Sequence, residues 1–327
     1  MGRKTPHLIL LNLGTPESAT EDGVRAFLAE FLADPEVVDF PPILWRPILH
    51  GMILRTRPRR VARQYAAIWD AKGSPLRIAT DRMVAALRTL AGPACTVAAA
   101  YRYGEPSIAT ALREVLDDAV RPTIVVPLFP HRTGATTGTA IAETRRVAAN
   151  AGAPHRVRVE LLAPDDEGFV TALAERWRAT MAAADAAPDH LVVSFHGIPI
   201  RYARRERNQY VEDCQATTRA FLQAIGWPVE RATVAYQSRF GPERWLEPAT
   251  AAVLEALPAR GVRNVAVMAP GFLTEGLETL EELAIRGREA FIAAGGESFT
   301  YVPAVEDHPA LMASLLALAT RGATGAP

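Results

Sequence analysis

Short runs of consecutive apolar residues, rich in β-branched side chains, recur along the whole chain. Each is followed by a longer stretch with helical periodicity. Ile124-Val-Val-Pro-Leu128 and Val265-Ala-Val-Met268 are the clearest of these runs. A strand with one wet face alternates apolar and polar residues, whereas a strand apolar at every position is buried on both faces. Strands of the second kind belong to parallel sheets covered by helices on either side. The runs that fit are Leu8–Leu13, Thr96–Tyr101, Thr123–Phe129, Arg156–Leu161, His190–Phe195, Ala232–Tyr236, Asn264–Met268 and Glu297–Tyr301. Helical patterns fill the gaps, among them Glu21–Leu32, Val61–Ala71, Asp81–Leu90, Ser107–Ala119, Glu167–Ala184, Gln209–Ile225, Pro248–Leu257, Glu278–Ala293 and Pro309–Ala319. This order predicts an α/β protein.

The eight strands divide into two sets of four, with the Ala-rich helix Glu167–Ala184 opening the second set. Two similar doubly wound, Rossmann-like lobes are expected, residues 1–165 and 166–304. Open α/β sheets bind ligands beyond the carboxyl ends of their strands. Those ends here are Asn12-Leu-Gly-Thr15, Tyr101-Arg-Tyr-Gly104, Pro130–Gly138, His196-Gly-Ile-Pro199, Gln237-Ser-Arg239 and Pro270–Glu278.

Composition narrows the function. The 327 residues carry 36 Lys+Arg and 36 Asp+Glu, for a formal net charge of zero. A neutral chain without a basic tail is a poor nucleic-acid binder, because that affinity rests on neutralising phosphates. Cys95 and Cys214 are the two cysteines, too few for a disulfide framework, a four-Cys zinc site or an all-Cys iron–sulfur cluster, and the expected compartment is the reducing cytoplasm. The short, mixed start Met1–His7 does not read as a signal peptide. No run approaches eighteen uninterrupted apolar residues. One segment does stand out. Phe40–Leu54 is strongly apolar and runs into Arg55, Arg57, Arg59 and Arg60. It reads either as a buried helix with a solvated basic end or as an element lying at a membrane interface.

The sequence holds no Walker A motif, no HExxH, no GxSxG elbow and no GxGxxG after a strand. Gly134-Ala-Thr-Thr-Gly138 suits either an anion at a helix start or a tight βα turn. Two strand ends carry chemistry. The run Leu191–Ser194 leads into Phe195-His196-Gly-Ile-Pro199, which sets a histidine on a rigid rim as a base, an acid or a metal ligand, or as a cap for the next helix. Pro270–Leu283 follows another strand and carries Glu275, Glu278 and Glu282. Their i, i+3, i+7 spacing puts all three carboxylates on one face of a helix, where mutual repulsion raises pKa values and attracts a divalent cation. Thr274 is the expected N-cap, and acidic residues at a helix start are also ordinary dipole partners. A third group, Tyr101, Arg102, Tyr103, Trp245 and Phe272, suits a flat aromatic ligand with acidic side chains, as well as plain core packing.

Read in order, these residues carry a resemblance. Leu10-Leu-Asn-Leu-Gly-Thr-Pro-Glu17, Lys72-Gly-Ser-Pro75, Arg102-Tyr103, Phe129-Pro130 with Thr136-Thr-Gly138, Ser194-Phe-His-Gly-Ile-Pro199, Gln237-Ser238 with Gly241-Pro and Trp245-Leu, and Gly271-Phe with Leu277-Glu-Thr-Leu280 resemble the ferrochelatases, over nearly the whole chain. The resemblance implies insertion of Fe²⁺ into a porphyrin at the end of haem synthesis, with the macrocycle in a cleft between the two lobes. It implies that the C-terminal helix, 305–322, packs back on the first lobe. By position it places the catalytic and metal-contacting pair on His196 and Glu278, and a proton or metal path on Glu275 and Glu282. It places porphyrin contacts on Leu13, Ser74, Arg102, Trp245 and Phe272, and Tyr103 joins them from the aromatic group. It also places 40–60 at the cleft mouth, in peripheral contact with a membrane or with the apolar substrate.

The resemblance has departures. Arg205-Glu-Arg-Asn-Gln-Tyr210 differs from the family's Gly-Asp-Pro-Tyr, with Tyr210 as the match to its tyrosine. Gly276 stands where relatives often have Cys or His, and an aromatic residue common near Arg132 is missing. Two cysteines cannot hold the [2Fe–2S] cluster of some relatives, so no resident cofactor is expected and Fe²⁺ is a substrate. Protoporphyrin IX is the expected porphyrin from the wording around His196 and the apolar lip. Coproporphyrin III, a cobalt chelatase of another tetrapyrrole and a non-enzymatic tetrapyrrole carrier are the alternatives.

Overall fold

Strand β1 (His7–Asn12) is buried at every position. It sits inside a four-stranded parallel sheet with β2 (Val97–Tyr101), β3 (Thr123–Pro127) and β4 (Val157–Val159) in the order β2-β1-β3-β4. The second sheet repeats that order. It comprises β5 (His190–His196), β6 (Ala232–Gln237), β7 (Asn264–Met268) and β8 (Ser298–Val302), arranged β6-β5-β7-β8, again all parallel. Every apolar run read as a strand forms one, and β4 is trimmed to three residues. The computed structural model describes residues 5–93, 95–118 and 120–322. The tail 321–327 reads from the sequence as a frayed end; the last helix, Pro309–Gly322, takes in its first two residues, and 323–327 lie outside the described residues.

Contacts divide the chain into two compact units, Met1–Leu162 with Met312–Pro327, and Ala163–Leu311. In the first, Ile9, Leu11 and Val125 pack against Ile108, Leu112 and Val147 from the helices Ile108–Leu116 and Thr139–Asn150. In the second, Val192, Val265 and Val267 pack against Leu254, Leu283 and Phe291. Burial of such side chains is the main stabilising contribution, at about 1.5–3 kcal/mol each.

Where helices differ from the sequence reading, the cause is local. The helix expected from Asp81 starts at Pro75, because Pro suits the first helical position and Ser74 caps it. The helix expected from Val61 starts at Leu54 despite Pro58 inside it. Among the described residues three segments are π-helical, Leu49–Ile53, Gly134–Gly138 and Leu277–Gly287. No propensity marks this rare geometry, which is frequent at functional sites.

The segment 40–54 is not the buried helix that composition allowed. Pro42–Ile48 has no buried residue, and Phe40 (44%), Ile43 (82%), Leu44 (57%) and Met52 (58%) stand in solvent. Leu49, Ile53 and Leu54 face inward, and the indole of Trp45 donates to the Leu32 carbonyl at 2.6 Å. Arg46, Arg55, Arg59 and Arg60 are exposed along the same stretch. Among the described residues, no helix is long and apolar enough to cross a membrane.

Candidate active site

In the second sheet the chain leaves β5 toward β6 and leaves β7 toward β8, so strand order reverses between β5 and β7. The crevice beyond the carboxyl ends of such a pair is the standard ligand position of an open α/β sheet. His196 is the last residue of β5, in register with Gln237 at the end of β6. Gly197 follows because nothing larger fits. A Cβ there would lie 2.8 Å from the Gln237 carbonyl oxygen and 3.2 Å from the Trp245 ring. His196 Nδ1 lies 2.6 Å from the Gly197 carbonyl oxygen, an acceptor only. In the neutral ring that contact puts the proton on Nδ1 and leaves the Nε2 lone pair open.

The His196 carbonyl accepts from the Tyr210 hydroxyl at 2.6 Å. Tyr210 is buried at the start of the helix Gln209–Ile225, and burial pushes its hydroxyl pKa far above the ordinary value. So Tyr210, from the start of this helix, braces the histidine's backbone. Tyr210→Phe leaves that carbonyl unpaired and is expected to destabilise the protein by about 1–3 kcal/mol. A thermal melt checks the stability loss, and turnover per folded molecule should fall only a few-fold.

After β7 the chain turns through Ala269–Gly276 into the π-helix Leu277–Gly287. Gly276, not Thr274, is its N-cap. The Gly276 N–H donates to Thr279 Oγ1 at 2.8 Å. Glu278 lies in the first turn, and its carbonyl accepts from Gln237 Nε2 at 2.6 Å. Gln237 Oε1 accepts in turn from the Ser194 hydroxyl at 2.7 Å, and Ser194 shares a 2.8 Å hydrogen bond with Thr250. Burial raises the pKa of the Glu278 carboxyl; the charge of His196 works against the rise, and Glu282 and Glu281 add to it. The Glu282 carboxylate accepts from the Ser238 backbone N–H at 2.7 Å and from its hydroxyl at 2.6 Å. Glu281 is held by Arg286 Nε at 2.9 and 3.0 Å.

The expected row of three carboxylates on one helix face does not form. Glu275 precedes the helix, so the i, i+3 relation does not reach it. Its carboxylate accepts from the Tyr301 hydroxyl at 2.9 Å and from the Ala304 N–H at 2.8 Å, tying the chain after β8 to the site loop. The residues brought together are Glu278 and Glu282 on the π-helix, with His196 electrostatically linked to Glu278. Phe272 joins them, its ring 6.5 Å from that of His196. Trp245 bridges to Pro199 and lines an open cavity of about 540 Å³ with Gly197, Tyr236, Gln237 and Arg239. Its indole N–H is buried with no hydrogen-bond partner. Among the described residues, no set of three or more His, Cys, Asp or Glu could hold a metal ion.

The remaining predicted residues lie in the first unit. Leu13 follows β1, and its carbonyl accepts from the Tyr103 N–H at 2.9 Å. Gly14 approaches the same residue so closely that a Cβ would fall 1.9 Å from the Tyr103 carbonyl oxygen. Ser74 is buried and caps the helix Pro75–Ala91. Arg102 and Tyr103 converge on a residue the sequence reading missed, the buried Asp34. Its Oδ2 accepts from Arg102, from the Tyr103 hydroxyl at 2.9 Å and from Thr139 Oγ1 at 2.7 Å. Burial works to raise the Asp34 pKa, but hydrogen bonds from Thr139, the Glu36 N–H and Tyr103, with the charge of Arg102, hold it below the usual range. Arg102, expected to meet a ligand carboxylate, is thus already paired inside the protein. Asp34 stands before Pro35, where an Asp reads as a turn former. Nothing local marked it as a hub.

Two four-stranded parallel sheets of the same order, with a histidine and a carboxylate at the ends of adjoining strands, define a chelatase-like α/β protein. Solved structures agree on the fold. The sirohydrochlorin chelatase SirB from Bacillus subtilis subspecies spizizenii, in complex with cobalt, superposes with a TM-score of 0.56 at 11% identity, covering 98% of this chain and 95% of that one. CbiX, described as the terminal enzyme of sirohaem biosynthesis in denitrifying bacteria, matches at a TM-score of 0.50 and 18% identity over 98% and 100%. Sequence narrows the class. The ferrochelatase family model matches residues 7–323. Ferrochelatases of Edwardsiella ictaluri and Methylibium petroleiphilum are 42% and 39% identical over 300 and 327 residues, covering 92% and 98% of this chain and 92% and 88% of theirs. The chain belongs to the ferrochelatase family, and its function is that of a ferrochelatase in haem biosynthesis.

Proposed function

We propose that this chain, a lyase, inserts Fe²⁺ into protoporphyrin IX, releases two protons, and does so with His196 and Glu278 at the reacting centre. The observation that carries this reading is their placement at the end of β5 and in the helix after β7, at the point where strand order reverses. The porphyrin must lose two pyrrole protons while iron sheds water. His196 Nε2, left open by the Nδ1 contact, is the proton acceptor. Glu278, whose carboxyl holds its proton unusually well, meets the metal and exchanges that proton for the cation; protons and iron pass by way of Glu282. No [2Fe–2S] cluster is proposed, since Cys95 and Cys214 are the only cysteines of the chain. Phe272 and Trp245 supply aromatic surface for the macrocycle, and distorting the ring toward the transition state exposes its nitrogen lone pairs.

The protein works in the cytoplasm, at the inner face of the membrane. Residues 40–60 support that placement, since Phe40, Ile43, Leu44 and Met52 offer exposed apolar surface beside exposed arginines. The test of activity is to mix protein, Fe²⁺ and porphyrin without oxygen and follow the Soret band. Protoporphyrin IX should be consumed faster than coproporphyrin III. The reverse order would reassign the substrate, and no change with either would sink the enzymatic reading.

A further inference from the structure

Gln237, the last residue of β6, and Ser238, just after it, hold the π-helix at two points. Gln237 grips the backbone at Glu278, and Ser238 grips the side chain at Glu282. The second grip is unusual. Ser238 sits at φ +65°, in the left-handed region that a non-glycine residue adopts at a cost. That conformation accompanies a clamp in which its N–H takes one carboxylate oxygen of Glu282 and its hydroxyl takes the other. Strained backbone persists where the surroundings over-determine it, and it clusters at working sites. With both oxygens fixed, the carboxylate is oriented and its remaining lone pairs stay available. A flexible glutamate would otherwise sample several rotamers.

We infer that Ser238 is a positioning residue for iron delivery: it locks the Glu282 carboxylate as a fixed station one helical turn from Glu278. The inference rests on the reading that iron passes Glu282. Ser238 acts through the Glu282 carboxylate it holds, so its loss should appear in how iron is used and not in how the porphyrin binds. Glycine is the informative replacement, because it relieves the left-handed backbone and keeps the N–H while removing the hydroxyl.

The experiment is steady-state kinetics of Ser238→Gly, Ser238→Ala, Glu282→Ala and the double variant Ser238→Gly/Glu282→Ala, with Fe²⁺ and porphyrin varied in turn. Ser238→Gly should raise the KM for Fe²⁺ about tenfold, the worth of one hydrogen bond to a charged group. Its porphyrin KM should stay within twofold, and its Tm should equal or exceed that of the unmodified protein. The double variant should be no worse than Glu282→Ala alone, since the two changes remove one interaction. If Glu282→Ala impairs iron use but Ser238→Gly does not, the inference fails and the role of Glu282 stands. If Glu282→Ala leaves iron use unchanged, the reading beneath it fails as well.

Discussion

Glu278→Gln should lower turnover by about 10²–10⁴-fold, the usual contribution of a positioned acid or base, and should at the same time make the protein more stable at neutral and alkaline pH. Glutamine has nearly the same shape, and the Glu278 contact with Gln237 runs through a backbone carbonyl, so packing is kept. What is lost is the ionisable group. Its pKa is raised in the folded state above the ordinary glutamate value, with burial as the largest cause. Between the unfolded and folded pKa values the native protein therefore holds more protons than the unfolded chain, and stability falls as pH rises through that window. The penalty is absent below the unfolded pKa and complete above the folded one. Glutamine carries no such penalty. Melting temperatures of the two proteins should coincide in acid and separate in favour of Glu278→Gln toward pH 8. A variant that turns over normally, or one that melts lower at pH 8, contradicts the assignment.

The lobes were legible because buried parallel strands leave a signal that needs no neighbour to interpret. Val192, Val265 and Val267 are apolar wherever the sheet is placed, and each strand announces itself. His196 was legible for a related reason: a histidine just past such a strand and before Gly197 has one place to be. Geometry around the carboxylates was not. The i, i+3, i+7 spacing of Glu275, Glu278 and Glu282 assumes a helix that begins before Glu275. The chain instead caps at Gly276 and winds as a π-helix, and Glu275 turns to Tyr301 and Ala304. Those partners lie 26 and 29 residues away, out of reach of any local pattern. The same holds for Arg102, whose partner Asp34 is 68 residues earlier. Spacing reads side chains that share one element; it is silent on which distant element will claim a charge. Polar residues at strand ends are thus found easily as a set and assigned individually with difficulty. Ser238 illustrates the point, since the hydroxyl that clamps Glu282 sits in Gln237-Ser-Arg239, which the sequence marks as a strand end without saying what that hydroxyl will hold.

His196→Ala should cost about a hundredfold or more in turnover while leaving porphyrin binding and folding nearly intact. The side chain is half-buried at a strand end, so its removal opens little cavity, and β5 keeps its register with β6 and β7 through backbone pairing. The Tyr210 hydrogen bond also survives, because it goes to the carbonyl of residue 196 and not to the ring. Alanine therefore deletes one chemical group, the Nε2 lone pair, and the electrostatic partner that holds down the Glu278 pKa. Loss of that partner should push Glu278 further toward its protonated form. The variant then lacks a proton acceptor and holds a carboxyl less ready to receive a cation, so its remaining activity should rise with pH more steeply than that of the unmodified enzyme. Added imidazole should restore part of the rate, since the vacated space borders an open strand end. Porphyrin binding, followed by fluorescence quenching, separates this outcome from misfolding. Near-full turnover by His196→Ala would remove the histidine from the chemistry and leave Glu278 to be explained alone.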